Sequence, residues 1–251
     1  MGPMFRLSLR QMASRRRLLL ITLLAALPVG LAALVSAALG EDESSNSEFI
    51  NTLLDGLLIA VIMPIVTMVL ATAAFGNELE DRTLSYLVLK PVPRAQIVAS
   101  KLLAAIVVGG VLLIAGGVVS TLLGASSVGA VLVVFDNDVK AVAAVAVALF
   151  AGVVTYAAIF TWAGLISSRA LAFALIYVFV WEALVSSFLE GVRYLSVRGY
   201  TLAILHGMDE DSFGPLGERV IEFPAAIVGA VAVTAAFFWL MVRRLNQMDV
   251  S

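Results

Sequence analysis

The sequence predicts an all-α integral membrane protein with six transmembrane helices, and three observations carry that prediction. Of its 251 residues 61% are hydrophobic, and the mean hydropathy is +1.04. Several apolar runs reach the roughly 20 residues that a helix needs to cross a bilayer. A charged stretch stopped by prolines, GNELEDRTLSYLVLKPVPRAQIVASK at 76–101, separates two of those runs.

The elements follow in order. Over residues 4–17, Phe5, Leu9 and Met12 fall at i, i+4 and i+7 with Arg6, Arg10 and Arg17 on another side, so residues 1–17 are predicted to form an amphipathic interfacial helix. Leu7 breaks that pattern. Hydropathy then places spans at about 18–39, 51–75, 97–123, 141–166, 170–189 and 223–242. The first follows Arg15, Arg16 and Arg17 and reaches small residues near Ser36 and Ala38, but its run of about 22 residues exceeds the roughly 7–15 of a cleavable signal, so a retained helix is expected. Pro28 and Pro64 each remove a hydrogen bond inside a span and favour a kink. Gly109, Gly110, Gly116 and Gly117 in span three, Ala144, Ala148 and Gly152 in span four, and Ala226 and Ala230 in span six let backbones approach closely. Packing within one bundle is the expected use of these stripes, ahead of a dimer seam.

Residues 190–222 form the longest segment on the far side. They mix Tyr194, Leu195, Tyr200, Leu202 and Leu205 with charges and a Gly214-Pro215 turn, which is too apolar for a plain solvated loop. One or two short helices in the outer leaflet are expected there, and Pro224 suits the first turn of span six. No internal repeat or second domain is evident in the single unit 1–251.

An even number of spans puts both termini on one side. Arg6, Arg10, Arg15, Arg16, Arg17, Arg82, Lys90, Arg94, Lys101, Arg169, Arg243 and Arg244, twelve basic residues, fall on the side of the termini, against four on the other: Lys140, Arg193, Arg198 and Arg219. The far side also holds the acidic run EDESSNSE at 41–48. The positive-inside rule therefore predicts cytoplasmic termini in the cell membrane.

With no cysteine and one histidine, His206, the chain cannot build disulfides, thiolate metal sites or a multi-histidine metal cluster. No histidine lies in a predicted span, so Gly124-Ala125-Ser126-Ser127 reads as the end of span three and not as part of an intramembrane Ser/His protease. His206 is expected at the surface or the interface. Asp55 lies in the first turn of span two, where a helix N-terminus favours an anion, and is read as a cap. Glu182, beside Trp181, falls about a dozen residues into span five and so near mid-bilayer, where an acidic side chain costs on the order of 3 kcal/mol. It is expected to be protonated, paired or facing a polar cavity, either on a transport path or bracing helices.

In the insert, Leu84, Leu87 and Val88 form an apolar helical face. Glu78, Glu80, Asp81 and Arg82 crowd its expected N-terminal side, and Pro91 and Pro93 end it. The run Glu78-Leu79-Glu80-Asp81-Arg82-Thr83-Leu84-Ser85-Tyr86-Leu87, then Lys90-Pro91-Val92-Pro93-Arg94 and Lys101, resembles the segment after the second helix of export-type, or type-two, ABC transporter permeases. Arg82 departs from the glycine that precedes the threonine in many of them. The resemblance extends in layout over the whole chain: basic amphipathic start, six spans, an insert after span two and a long segment before span six.

That resemblance implies a half-transporter that pairs with a second permease copy, as homodimer or heterodimer, in the lipid bilayer. It implies docking of two copies of an ATP-binding subunit on the coupling insert 76–96 through Glu78, Glu80, Asp81, Arg82, Thr83, Leu84, Leu87, Pro91, Pro93 and Arg94. The chain has no Gly-Lys-Ser/Thr phosphate loop, so it holds no cofactor and ATP and Mg belong to the partner subunit. Segment 190–222 becomes a gate on the far side. No metal site and no nucleic-acid partner are expected. Two alternatives stay open at this stage: an ion-coupled secondary transporter using Glu182 and Asp55, and a scaffold that recruits a soluble protein through the insert. The cargo is not legible.

Overall fold

Backbone groups in an apolar medium have no water to pair with, so they must satisfy one another within the segment, and helices do this locally. The computed structural model describes residues 2–12, 14–39, 51–81, 92–125, 139–167, 169–185, 194–213 and 221–247, and no strand occurs among them. In chain order the helices are α1 (Gly2–Met12), α2 (Arg15–Leu39), α3 (Leu53–Glu80), α4 (Arg94–Ala125), α5 (Val139–Ile166), α6 (170–185), α7 (Val197–Met208), α8 (Glu210–Phe213) and α9 (Phe223–Asn246). Four of these, α3, α4, α5 and α9, are long and apolar enough to cross a membrane, while the apolar stretches Leu18–Leu34 in α2 and Ala170–Trp181 in α6 are shorter.

α5 is the axis of the bundle and packs against α3, α4, α6, α7 and α9. Its stripe Ala144, Ala148 and Gly152 is buried inside this chain. Helix meets neighbouring backbone at Gly164, where a Cβ would sit 2.5 Å from the carbonyl oxygen of Thr72 on α3, and at Gly116 of α4, where it would sit 2.7 Å from that of Ala25 on α2. The small-residue stripes thus serve packing within the bundle, as expected. On α9, Ala226 and Ala230 are buried, but only 17% of its apolar window is, against 67% for α3, so α9 lies at the edge.

α1 is amphipathic in the predicted sense. Met12 is buried, Phe5 and Leu9 pack on the core, and Arg6 and Arg10 are exposed beside the out-of-pattern Leu7. Its packing partners are α4 and α3, so the apolar face that would otherwise meet lipid meets protein. In the segment expected to hold short helices, α7 caps its N-terminus with Ser196, whose Oγ accepts from the Gly199 N–H at 3.0 Å. It buries Val197, Tyr200, Ile204 and Leu205 as it packs on α5, α9 and α3. Gly214-Pro215 lies outside the described residues.

Two helices change their hydrogen-bond period. α3 is π-helical over Leu53–Ile62, with the Met63 N–H bonding to Leu58 O, and becomes α-helical just before Pro64, which has no N–H to give. α6 does the reverse, turning π-helical over Tyr177–Val185. Pro224 stands in the first turn of α9, as its missing N–H favours.

Candidate functional site

α3 does not stop near residue 75, as hydropathy suggests, but runs on through Gly76–Glu80, which contains no proline; Gly76 weakens the helix without ending it. Asp81 ends it, donating its N–H to Asn77 O at 2.9 Å. Glu78 and Glu80 therefore occupy the last turn of α3 and not the first turn of a separate insert helix. This corrects the dipole argument, because carboxylates at a helix C-terminus face unpaired carbonyls and are disfavoured there.

The compensation comes from α4. Pro93 precedes it and its carbonyl accepts the N–H groups of Gln96 at 2.9 Å and Ile97 at 3.3 Å; Arg94 is the first helical residue. Ile97, Val98 and Lys101 then recur at helical spacing and are all buried. Lys101 Nζ meets Glu78 Oε1 at 2.7 Å with the two side chains 5% and 15% exposed, donates also to the Ala74 carbonyl of α3, and stands 4.8 Å from the centre of the Phe75 ring. One ammonium so engages one carboxylate oxygen, a helical carbonyl and an aromatic face, partners of the kind that let a buried charge be tolerated. The result is a clasp between the last turn of α3 and the second turn of α4, at the two roots of the insert.

Of the predicted docking residues, Glu80, Asp81 and Pro93 are exposed at those roots and Arg94 is half-buried. Arg82, Thr83, Leu84, Leu87 and Pro91 lie outside the described residues. Glu78 faces the bundle.

At the other end of α3 Asp55 stands in the first turn, as expected, and Thr52 before it has helical backbone angles and makes no side-chain cap. Asp55 Oδ2 lies 3.4 Å from Nε2 of His206, which sits in the last turn of α7 with its side chain 15% exposed, less open than a surface residue. Asn51 Nδ2 also donates to Ser212 O at 3.1 Å, and His206 packs edge-on to Phe213 at 6.4 Å. Sequence reasoning missed both pairings, since their partners are 23 and 151 residues apart. The available signal was the cost of leaving Glu78, Lys101 or Asp55 unpartnered beside apolar segments.

Trp181 is half-buried in the π-helical part of α6, which also includes position 182; the side chain of Glu182 lies outside the described residues. Between α5, α7 and α9 opens an apolar cavity of about 530 Å³ walled by Val147, Phe150, Val154, Ile227, Val231 and Phe238. Thr155 and Thr234 on its lining turn their hydroxyls to their own helices, bonding Ala151 O and Ala230 O at 2.8 Å each. Among the described residues no group of three His, Asp or Glu side chains is placed to hold a metal ion.

A family model described as ABC-2 family transporter protein matches residues 13–184, more than half of the chain and the whole run from α2 into α6. No curated protein sequence matches it.

Proposed function

The chain belongs to the ABC-2 transporter family, and from that premise we propose that it is the membrane-spanning subunit of an ATP-driven exporter. In this reading six spans cross the cell membrane with both termini in the cytoplasm, and α2 and α6 complete the set. Two copies, or one copy and a related chain, enclose the route. Two ATP-binding subunits, which carry ATP and Mg, dock on the insert.

The observation that carries the proposal is the Glu78–Lys101 clasp. A loop whose roots were free would absorb displacement by a docked subunit. With α3 and α4 fixed to each other at the insert's base, displacement of 82–91 is passed on to two long helices and, through their packing, to α5. Glu80, Asp81 and Arg94 flank that base and are the polar docking groups of this reading, with Leu84 and Leu87 as its apolar ones. Glu182 and Trp181 line or brace the route.

The test is to express the chain with the ATP-binding subunit encoded beside it and purify the complex in mild detergent. Leu84→Asp or Leu87→Asp should abolish co-purification while membrane insertion stays unchanged. Normal co-purification of these variants would remove the insert as the docking element.

A further inference from the structure

We infer that Asp55 and His206 form a proton-sensitive latch that fastens the α7–α8 pair to the start of α3. Three contacts converge there from separate elements. The carboxylate and imidazole approach to 3.4 Å, Asn51 holds the backbone of Ser212 in α8 at 3.1 Å, and Phe213 of α8 packs edge-on to the imidazole. Asp55 lies in the first turn of α3 and His206 in the last turn of α7, so each charged form sits at the helix end whose dipole favours it.

Histidine is the side chain that changes charge in the physiological range. When His206 is protonated the contact is an ion pair reinforced by both helix ends. When it is neutral the same atoms form at most a long hydrogen bond. The latch is thus strongest at acidic pH and weakens as pH rises through the titration of His206. The rest of the contact is not sensitive in this way, because Asn51 and Ser212 meet through an amide and a carbonyl.

Other charged groups on the elements packed around α7 are Lys140, Asp209, Glu210, Asp211 and Glu222, with Arg198 on α7 itself. Lys140 reaches Asp211 at 4.0 Å with both side chains largely exposed, and Asp209 accepts the Ser212 N–H through Oδ1 at 3.4 Å. Glu78, Glu80, Arg243 and Arg244 lie at the far ends of α3 and α9. Among the described residues Asp55 is an acidic group 3.4 Å from the imidazole. The latch is a property of this chain alone and stands whether or not an ATP-binding subunit docks at the insert.

The natural chain has no cysteine, so spin labels can be placed without removing native thiols. A Cβ at Gly56 would meet nothing within 4 Å and Asp211 is exposed, which makes Gly56→Cys and Asp211→Cys suitable label sites on either side of the latch. The distance distribution between them is measured by pulsed EPR on the full chain in lipid nanodiscs at pH 5.5 and pH 8.0. One narrow distance is expected at the lower pH and a broader, longer distribution at the higher. His206→Gln should remove the pH response, and His206→Lys, whose charge does not titrate in this range, should keep the narrow distance at both pH values. The same distribution at both pH values without a substitution at 206, or a pH response that survives His206→Gln, would overturn the latch.

Discussion

At its insert end α3 holds Glu78 against Lys101 at 2.7 Å with side chains 15% and 5% exposed, and at its other end it holds Asp55 against His206 at 3.4 Å with side chains 33% and 15% exposed. The first pair has extra partners in the Ala74 carbonyl and the Phe75 ring, and little water. The second is longer, wetter and has one partner whose charge depends on protons. One helix therefore carries a fixed joint at one end and an adjustable one at the other. Burial decides which is which, because desolvation makes an ion pair costly to break while solvent makes it cheap.

The comparison breaks most visibly at the clasp. Lys101→Met leaves Glu78 half-enclosed without its cation, and about 3–5 kcal/mol of stability should be lost, read as a large drop in the unfolding midpoint in detergent. Glu78→Leu combined with Lys101→Met removes both charges and should return most of that loss. A double variant as unstable as Lys101→Met would show that the pairing of charges is not what holds the joint.

The next effect concerns the axis that both joints act upon. Gly164→Ala drives a methyl to 2.5 Å from the Thr72 carbonyl, where backbone cannot yield, and should cost about 1–3 kcal/mol. Gly76→Ala, also on a helix but with nothing within 4 Å, should be neutral or gain roughly 0.5–1 kcal/mol from helix propensity. Equal melting temperatures for the two would contradict the close α3–α5 contact.

The smallest effect belongs to the adjustable joint. Because Asp55 is about a third exposed, Asp55→Asn should cost no more than about 1 kcal/mol, and only on the acidic side where His206 is charged. A loss that is equal at pH 5.5 and pH 8.0 would make the contact a plain packing interaction.

How far the sequence reached follows from the range of each interaction. The amphipathic face of α1 and the small-residue seams of α5 and α9 repeat every three or four residues, so they are written locally and appear where the pattern puts them. Pro224 in the first turn of α9 is likewise a local rule. The end of α3 is less legible: hydropathy reports where apolar residues stop, and the helix continues for as long as nothing breaks it. Assigning Glu78 to an insert helix followed from that gap. The pairings of Glu78 with Lys101 and Asp55 with His206 depend on which helices are neighbours, and no window on one chain segment contains that information. The π-helical runs at Leu53–Ile62 and Tyr177–Val185 have no composition of their own that sets them apart from α-helix.

The central claim is that the clasp makes the insert a rigid coupling element, and charge reversal tests it most directly. In the proposed complex with an ATP-binding subunit, ATP hydrolysis would be compared for the natural chain, Glu78→Lys, Lys101→Glu and the two changes combined. Each single reversal puts like charges together in a buried site and should remove most of the hydrolysis that the proposed coupling stimulates, while the double reversal restores the pair and should recover a large part of it. Natural hydrolysis rates in both single variants would contradict the account, since the insert would then work with its roots unclasped.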